Sequence, residues 1–103
     1  RAGEWRRERL ARHVARFRAG AADLPWRIGD SRTPIQPLVV GDALEATRLS
    51  QALERRGVFV PAIRPPTVPE GTSRLRVSFS AAHEDDDVDA LLRALAGAAR
   101  EAR

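Results

Sequence analysis

The sequence predicts an α+β domain, a small, mostly antiparallel sheet with helices on one face, preceded by a connecting helix. Three patterns carry the prediction. Val88, Leu91, Leu92 and Leu95 recur at helical spacing near the end of the chain. Residues 74–80 alternate instead, with Leu75, Val77 and Phe79 on one side and Arg74, Arg76, Ser78 and Ser80 on the other. That period of two marks a strand with one buried face. Upstream, two short β-branched apolar runs flank an amphipathic stretch that ends at Gly57.

In chain order, Leu10, Val14 and Phe17 place a helix over residues 4–19, with Gly20 as its stop. Trp5 either extends that apolar face or anchors on a neighbour. Residues 20–34 read as a connector broken by Gly20, Pro25, Gly29 and Pro34. Residues 35–40 read as a buried strand, in which Pro37 points to an edge or a bulge. Asp42 is a good N-cap for a helix through about Arg56, carrying Leu49, Ala52 and Leu53 on one face. Gly57 ends it. A second strand is expected over 58–60, resuming at Ala62 and Ile63. Prolines at 65, 66 and 69, with Gly71, make 64–73 a stiff loop. The last helix has Asp85, Asp86 and Asp87 in its first turn and Arg100 and Arg103 near its end, as the macrodipole favours. The chain thus divides into 1–34, a connecting helix and linker, and 35–103, a β-α-β-β-α domain. The sheet face bearing Arg74 and Arg76 is left for solvent or another domain.

The 103 residues suffice for one small domain. There is no cysteine, hence no disulfide or thiolate metal site, which is compatible with a reducing cytoplasm. No stretch reads as a signal peptide or a membrane span. All 18 basic residues are arginine, the net charge is +4, and seven arginines fall within the first 18 residues. That cluster fits either a phosphate-contacting face or a solvated helix face. No stacking aromatics or nucleic-acid module accompany it, which favours the second and predicts no nucleic-acid partner.

No catalytic constellation is complete, and no metal site is expected. His13 and His83 lack ligands at metal-binding spacing. His83 stands where it can help cap the last helix, and the run Glu84 to Asp87 is explained by helix-start electrostatics. Residues 62–76 are the one segment that local structure does not explain. A proline-stiffened loop presents the Thr67 hydroxyl beside a strand presenting the Arg76 guanidinium. A guanidinium fork suits a carboxylate. A stiff crossover with arginines in weak surface pairs accounts for the pattern equally well.

The stretch Thr33-Pro34-Ile35-Gln36-Pro37-Leu38-Val39-Val40-Gly41-Asp42, then residues 58–80 and Ala81-Ala82-His83-Glu84, resembles the C-terminal domain of the α-oxoamine synthases. Ile63-Arg64-Pro65-Pro66-Thr67-Val68-Pro69 and Ile35-Gln36-Pro37 resemble the 8-amino-7-oxononanoate synthase branch. The resemblance covers essentially the whole chain, but only about the last quarter of a family enzyme. It implies a cytoplasmic, homodimeric fold-type-I enzyme that uses pyridoxal 5'-phosphate. The implied reaction joins L-alanine to pimeloyl-CoA or pimeloyl-carrier protein in biotin biosynthesis, with loss of carbon dioxide, and the cofactor acts as electron sink. It implies that Arg76 binds the amino-acid carboxylate and that Thr67 contacts the substrate or product chain. Cofactor-binding and catalytic residues are expected in the missing portion. Such enzymes hold the cofactor through a lysine, and this chain has none. Other readings are a 2-amino-3-ketobutyrate ligase or 5-aminolevulinate synthase domain, a stand-alone arginine-rich binding module, or a regulatory domain for a small carboxylate.

Overall fold

The computed structural model describes residues 2–101, so Arg1 and Arg103 lie outside the described residues. Its elements are α1 (Ala2–Ala21), β1 (Arg27–Ile28), β2 (Ile35–Gly41), α2 (Ala43–Arg55), β3 (Ala62–Ile63), β4 (Ser73–Ser78) and α3 (Asp85–Glu101). The four strands form one antiparallel sheet in the order β1-β2-β4-β3. The expected α+β architecture holds.

The central pair fixes which side of the sheet is covered. β2 and β4 run from Ile35 opposite Ser78 to Val39 opposite Arg74, and a register shift follows before Gly41 meets Ser73. Leu38 stands opposite Leu75, and both are fully buried. Strand alternation then puts Gln36, Val77 and Ser73 on the same inner face, all of them buried. Leu49 and Leu53 of α2, Val88, Leu91 and Leu95 of α3, and Phe17 and Ala21 of α1 complete one cluster over that face. The helices therefore share one side of the sheet, and the other side is open.

Helix ends follow local chemistry where the sequence supplies it. Asp42 caps α2 by accepting the Glu45 N–H at 2.9 Å. At the other end, the Gly57 and Val58 amides donate to the Glu54 and Leu53 carbonyls, both at 2.9 Å. This closure needs a left-handed residue, and Gly57 supplies φ +81°.

Four expectations are corrected. Gly20 does not stop α1, which runs to Ala21; a Cβ there would sit 2.4 Å from Leu92 Cδ1, so this glycine lets α1 approach α3. The expected connector contains β1. Residues 58–60 form no strand: Val60 is buried, its carbonyl accepts the Ser50 hydroxyl at 2.7 Å, and sheet contact starts at the Pro61 carbonyl. Pro37 sits in the interior strand β2, and the bulge lies further on, after Val39. The Pro37 carbonyl accepts the Gly29 N–H at 2.7 Å, so its nitrogen faces the end of two-residue β1 rather than β4, and no ladder bond to β4 is lost.

Pro37 also explains why residue 29 is glycine, since a Cβ there would lie 2.5 Å from the proline Cγ. The ring cannot rotate away. Gly29→Ala is therefore expected to destabilise the fold by about 1–3 kcal/mol, the usual cost of overpacking. A lowered urea midpoint with an unchanged slope in equilibrium unfolding checks it.

Candidate functional site on the open sheet face

The open face reads across the strands in register. Arg27, Val39, Arg74 and Ile63 form one row, and Pro37 pairs with Arg76 in the next. Ile35, 49% exposed, and Ser78 form a third. Arginines thus alternate with apolar side chains over a surface that no helix covers. Phe59, 81% exposed, lies just before β3.

Arg76 is exposed, as the alternation of β4 predicts. Its backbone N–H donates to the Pro61 carbonyl at 3.0 Å, which fixes the strand. Its guanidinium has no hydrogen-bond or ion-pair partner among the described residues. Thr67 is also exposed, on the loop that leaves β3; its amide donates to the Arg64 carbonyl at 3.1 Å, and its hydroxyl is likewise unpartnered. The loop is closed at its far end by Thr72, whose hydroxyl donates to the Pro69 carbonyl at 2.6 Å. Arg74 Nε in turn donates to the Thr72 carbonyl at 2.9 Å. Both residues singled out in the sequence thus lie on the uncovered side or its bordering loop, with polar ends free for a ligand.

The histidines are occupied elsewhere. His13 is buried, and its Nε2 donates to the His83 carbonyl at 2.7 Å, where Arg9 Nε also donates at 3.0 Å. His83 does not cap α3 with its side chain. Its Nδ1 accepts the Ser80 N–H at 3.0 Å and closes the turn before the helix, while Asp87 Oδ2 accepts the Glu84 N–H at 2.7 Å. Among the described residues no group of His, Asp and Glu side chains is placed to hold a metal ion. No described helix is long and apolar enough to cross a membrane.

Two of the exposed arginines of α1, Arg12 and Arg16, are paired with carboxylates of α3. Arg16 binds Asp89 through two 2.8 Å bonds, and Arg12 binds Asp85 through bonds of 2.6 and 3.3 Å. The pairs advance together along both helices, so α1 and α3 run parallel. The hydrogen bond from Arg12, ahead of its charge, holds the Asp85 carboxyl below its ordinary range, and Arg16 does the same for Asp89. Arg56 and Arg55 do so for Glu101. A carboxyl depressed in the folded state adds stability above its unfolded pKa and loses it as pH falls through the folded value. Stability is therefore expected to be level near neutrality and to fall below about pH 4. Thermal midpoints between pH 7 and 3 should show a shallower acid slope in Asp85→Asn/Asp89→Asn than in the parent.

One buried network escaped the sequence reading. Gln36, inside an apolar run, is fully buried; its Oε1 accepts from Arg18 at 2.7 Å. Its Nε2 donates to the Ser31 and Thr33 carbonyls at 3.0 and 2.8 Å. The available signal was parity, because Gln36 shares the side of Leu38.

Compared with known proteins, residues 1–95 match the model of the family described as aminotransferase class I and II. The chain belongs to that family. A protein of Cronobacter sakazakii named 8-amino-7-oxononanoate synthase is 60% identical over 92% of this chain and 25% of its own length. One of the same name from Thioalkalivibrio sulfidiphilus is 66% identical over 87% of this chain and 23% of its own. The chain spans about a quarter of the length of these relatives. Among solved structures, Sphingomonas wittichii serine palmitoyltransferase superposes with TM-score 0.86 at 30% identity, covering 92% of this chain and 24% of that one. A serine palmitoyltransferase structure with PLP gives 0.90 at 29%, over 96% of this chain and 25% of its own. The 8-amino-7-oxononanoate synthase of Francisella tularensis, at 24% identity and TM-score 0.71 over 93% of this chain and 27% of its own, shares the fold. The resemblance read from residues 33–42 and 58–84 is thus borne out.

Proposed function

We propose that this chain is the C-terminal domain of an 8-amino-7-oxononanoate synthase, a cytoplasmic, homodimeric acyltransferase in which it forms one wall of the substrate site. The observation that carries this reading is the 60–66% identity to relatives of that name over about nine-tenths of the chain. The uncovered sheet face supports it, because it offers an unpartnered guanidinium and bare apolar side chains to a neighbouring domain. In this reading residues 1–34 connect the domain to the rest of the enzyme.

Arg76 would bind the carboxylate of L-alanine with its planar fork, and Thr67 would contact the acyl chain. Pyridoxal phosphate would serve as electron sink, held by the rest of the protein. This chain contains no lysine and does not fit as its covalent holder. The acyl donor would be pimeloyl-CoA or pimeloyl-carrier protein.

The test is an assay of the full-length protein with L-alanine and pimeloyl-CoA. Alanine-dependent release of free thiol, with formation of 8-amino-7-oxononanoate, is expected. Turnover with glycine or serine and another thioester, but not with alanine, would move the chain to a different α-oxoamine synthase. The serine palmitoyltransferase superpositions give that alternative its footing.

A further inference from the structure

Among the described residues three arginines are partly buried, Arg9, Arg18 and Arg74. Arg9 and Arg18 reach acceptors on the covered side, the His83 carbonyl for one and Gln36 with the Gly29 carbonyl for the other. Arg74 alone stands on the open face. It sits in the sheet row between Val39 and Ile63, and no carboxylate pairs with it among the described residues. A guanidinium that is partly withdrawn from water and flanked by apolar strands favours an anionic partner.

Its geometry is already set for one. The Nε–H donates to the Thr72 carbonyl at 2.9 Å, and Thr72 is itself tied to Pro69. The terminal nitrogens of the fork have no partner among the described residues. A fork fixed at one edge loses less freedom when a ligand takes the other. Arg76 is two residues further on the same face, so the two side chains leave the strand roughly 6.5–7 Å apart. Two such anchors on a largely apolar surface fit a molecule that carries two acidic groups separated by a short hydrocarbon chain.

We propose that Arg74 is the second anchor and selects acyl donors that bear a free carboxylate at the far end of the acyl chain. This rests on the function proposed above, in which Arg76 takes the amino-acid carboxylate and the acyl chain is that of a dicarboxylic acid. A site built to hydrogen-bond a polar group discriminates strongly against an analogue that lacks it.

The experiment uses the full-length, cofactor-loaded protein with L-alanine and either pimeloyl-CoA or heptanoyl-CoA, which has the same chain length without the distal carboxylate. The parent should prefer pimeloyl-CoA by tenfold or more in kcat/KM. Arg74→Gln should lower kcat/KM for pimeloyl-CoA by about that factor while leaving heptanoyl-CoA turnover and the KM for alanine near the parent values. Arg74→Lys should recover part of the preference. Equal losses on both thioesters would reduce Arg74 to a support for Thr72 and overturn the proposal. A parent that does not distinguish the two thioesters would overturn it without any variant. If neither thioester is turned over, the function reading itself falls, and the role of Arg74 falls with it.

Discussion

Leu75→Ala is expected to lower the unfolding free energy by about 2–5 kcal/mol, the range for truncating a fully buried leucine. Leu75 lies at the middle of β4, opposite Leu38 on one side and Ala62 on the other. It is wholly excluded from solvent in the cluster to which all three helices contribute. The central strand pair cannot collapse into the space without losing its ladder, so the cavity would persist. For a domain of this size that is a large share of the roughly 5–15 kcal/mol that separates folded from unfolded chains. Urea unfolding followed by circular dichroism measures it. Arg76, the next residue, points to the open side, so Arg76→Ala should move the same midpoint little.

Gln36→Leu comes next in size, by a different mechanism. It leaves the Ser31 and Thr33 carbonyls without their donor and deprives Arg18 of its 2.7 Å acceptor. Unsatisfied polar groups of this kind make a loss of about 2–4 kcal/mol the expected result. Replacing Arg18 as well removes a partly buried guanidinium left with the Gly29 carbonyl alone. The double variant Arg18→Met/Gln36→Leu should therefore be more stable than Gln36→Leu alone. A double-mutant cycle on unfolding free energies reads the coupling directly. Two independent, additive losses would mean that the two side chains do not act as one unit.

The parts of the fold legible in the sequence are those fixed by local pattern. The leucine stripe of α3, the alternation of β4, the Asp42 cap and the Gly57 closure each depend on residues within a few positions of one another. What the sequence did not disclose depends on distant partners. Gly20 reads as a helix stop until Leu92 is seen against it, and Gly29 reads as a loop residue until the Pro37 ring is in place. Two-residue β1 exists only because β2 offers it an edge. Residues 58–60 have strand composition, yet the ladder beside β4 begins only at Pro61. Arg12 and Arg16 look unpaired along their own helix and find their carboxylates on α3. The candidate site was the more readable part. Period two alone puts Arg76 away from the core, and the proline spacing alone marks the Thr67 loop as stiff. The tie from Arg74 to Thr72 was not visible, because Arg74 and Arg76 look equivalent in the strand pattern.

The central claim is that the open face recognises an amino-acid carboxylate through Arg76 while the cofactor is held elsewhere. The most direct measurement compares Arg76→Lys with the parent full-length protein for alanine kinetics and for pyridoxal-phosphate affinity. Loss of a charge-assisted hydrogen bond, about 1.5–3 kcal/mol, predicts a fall of roughly tenfold or more in kcat/KM for alanine. Cofactor affinity should stay at the parent value. Near-normal alanine kinetics, or a loss of cofactor binding in step with activity, would contradict the account.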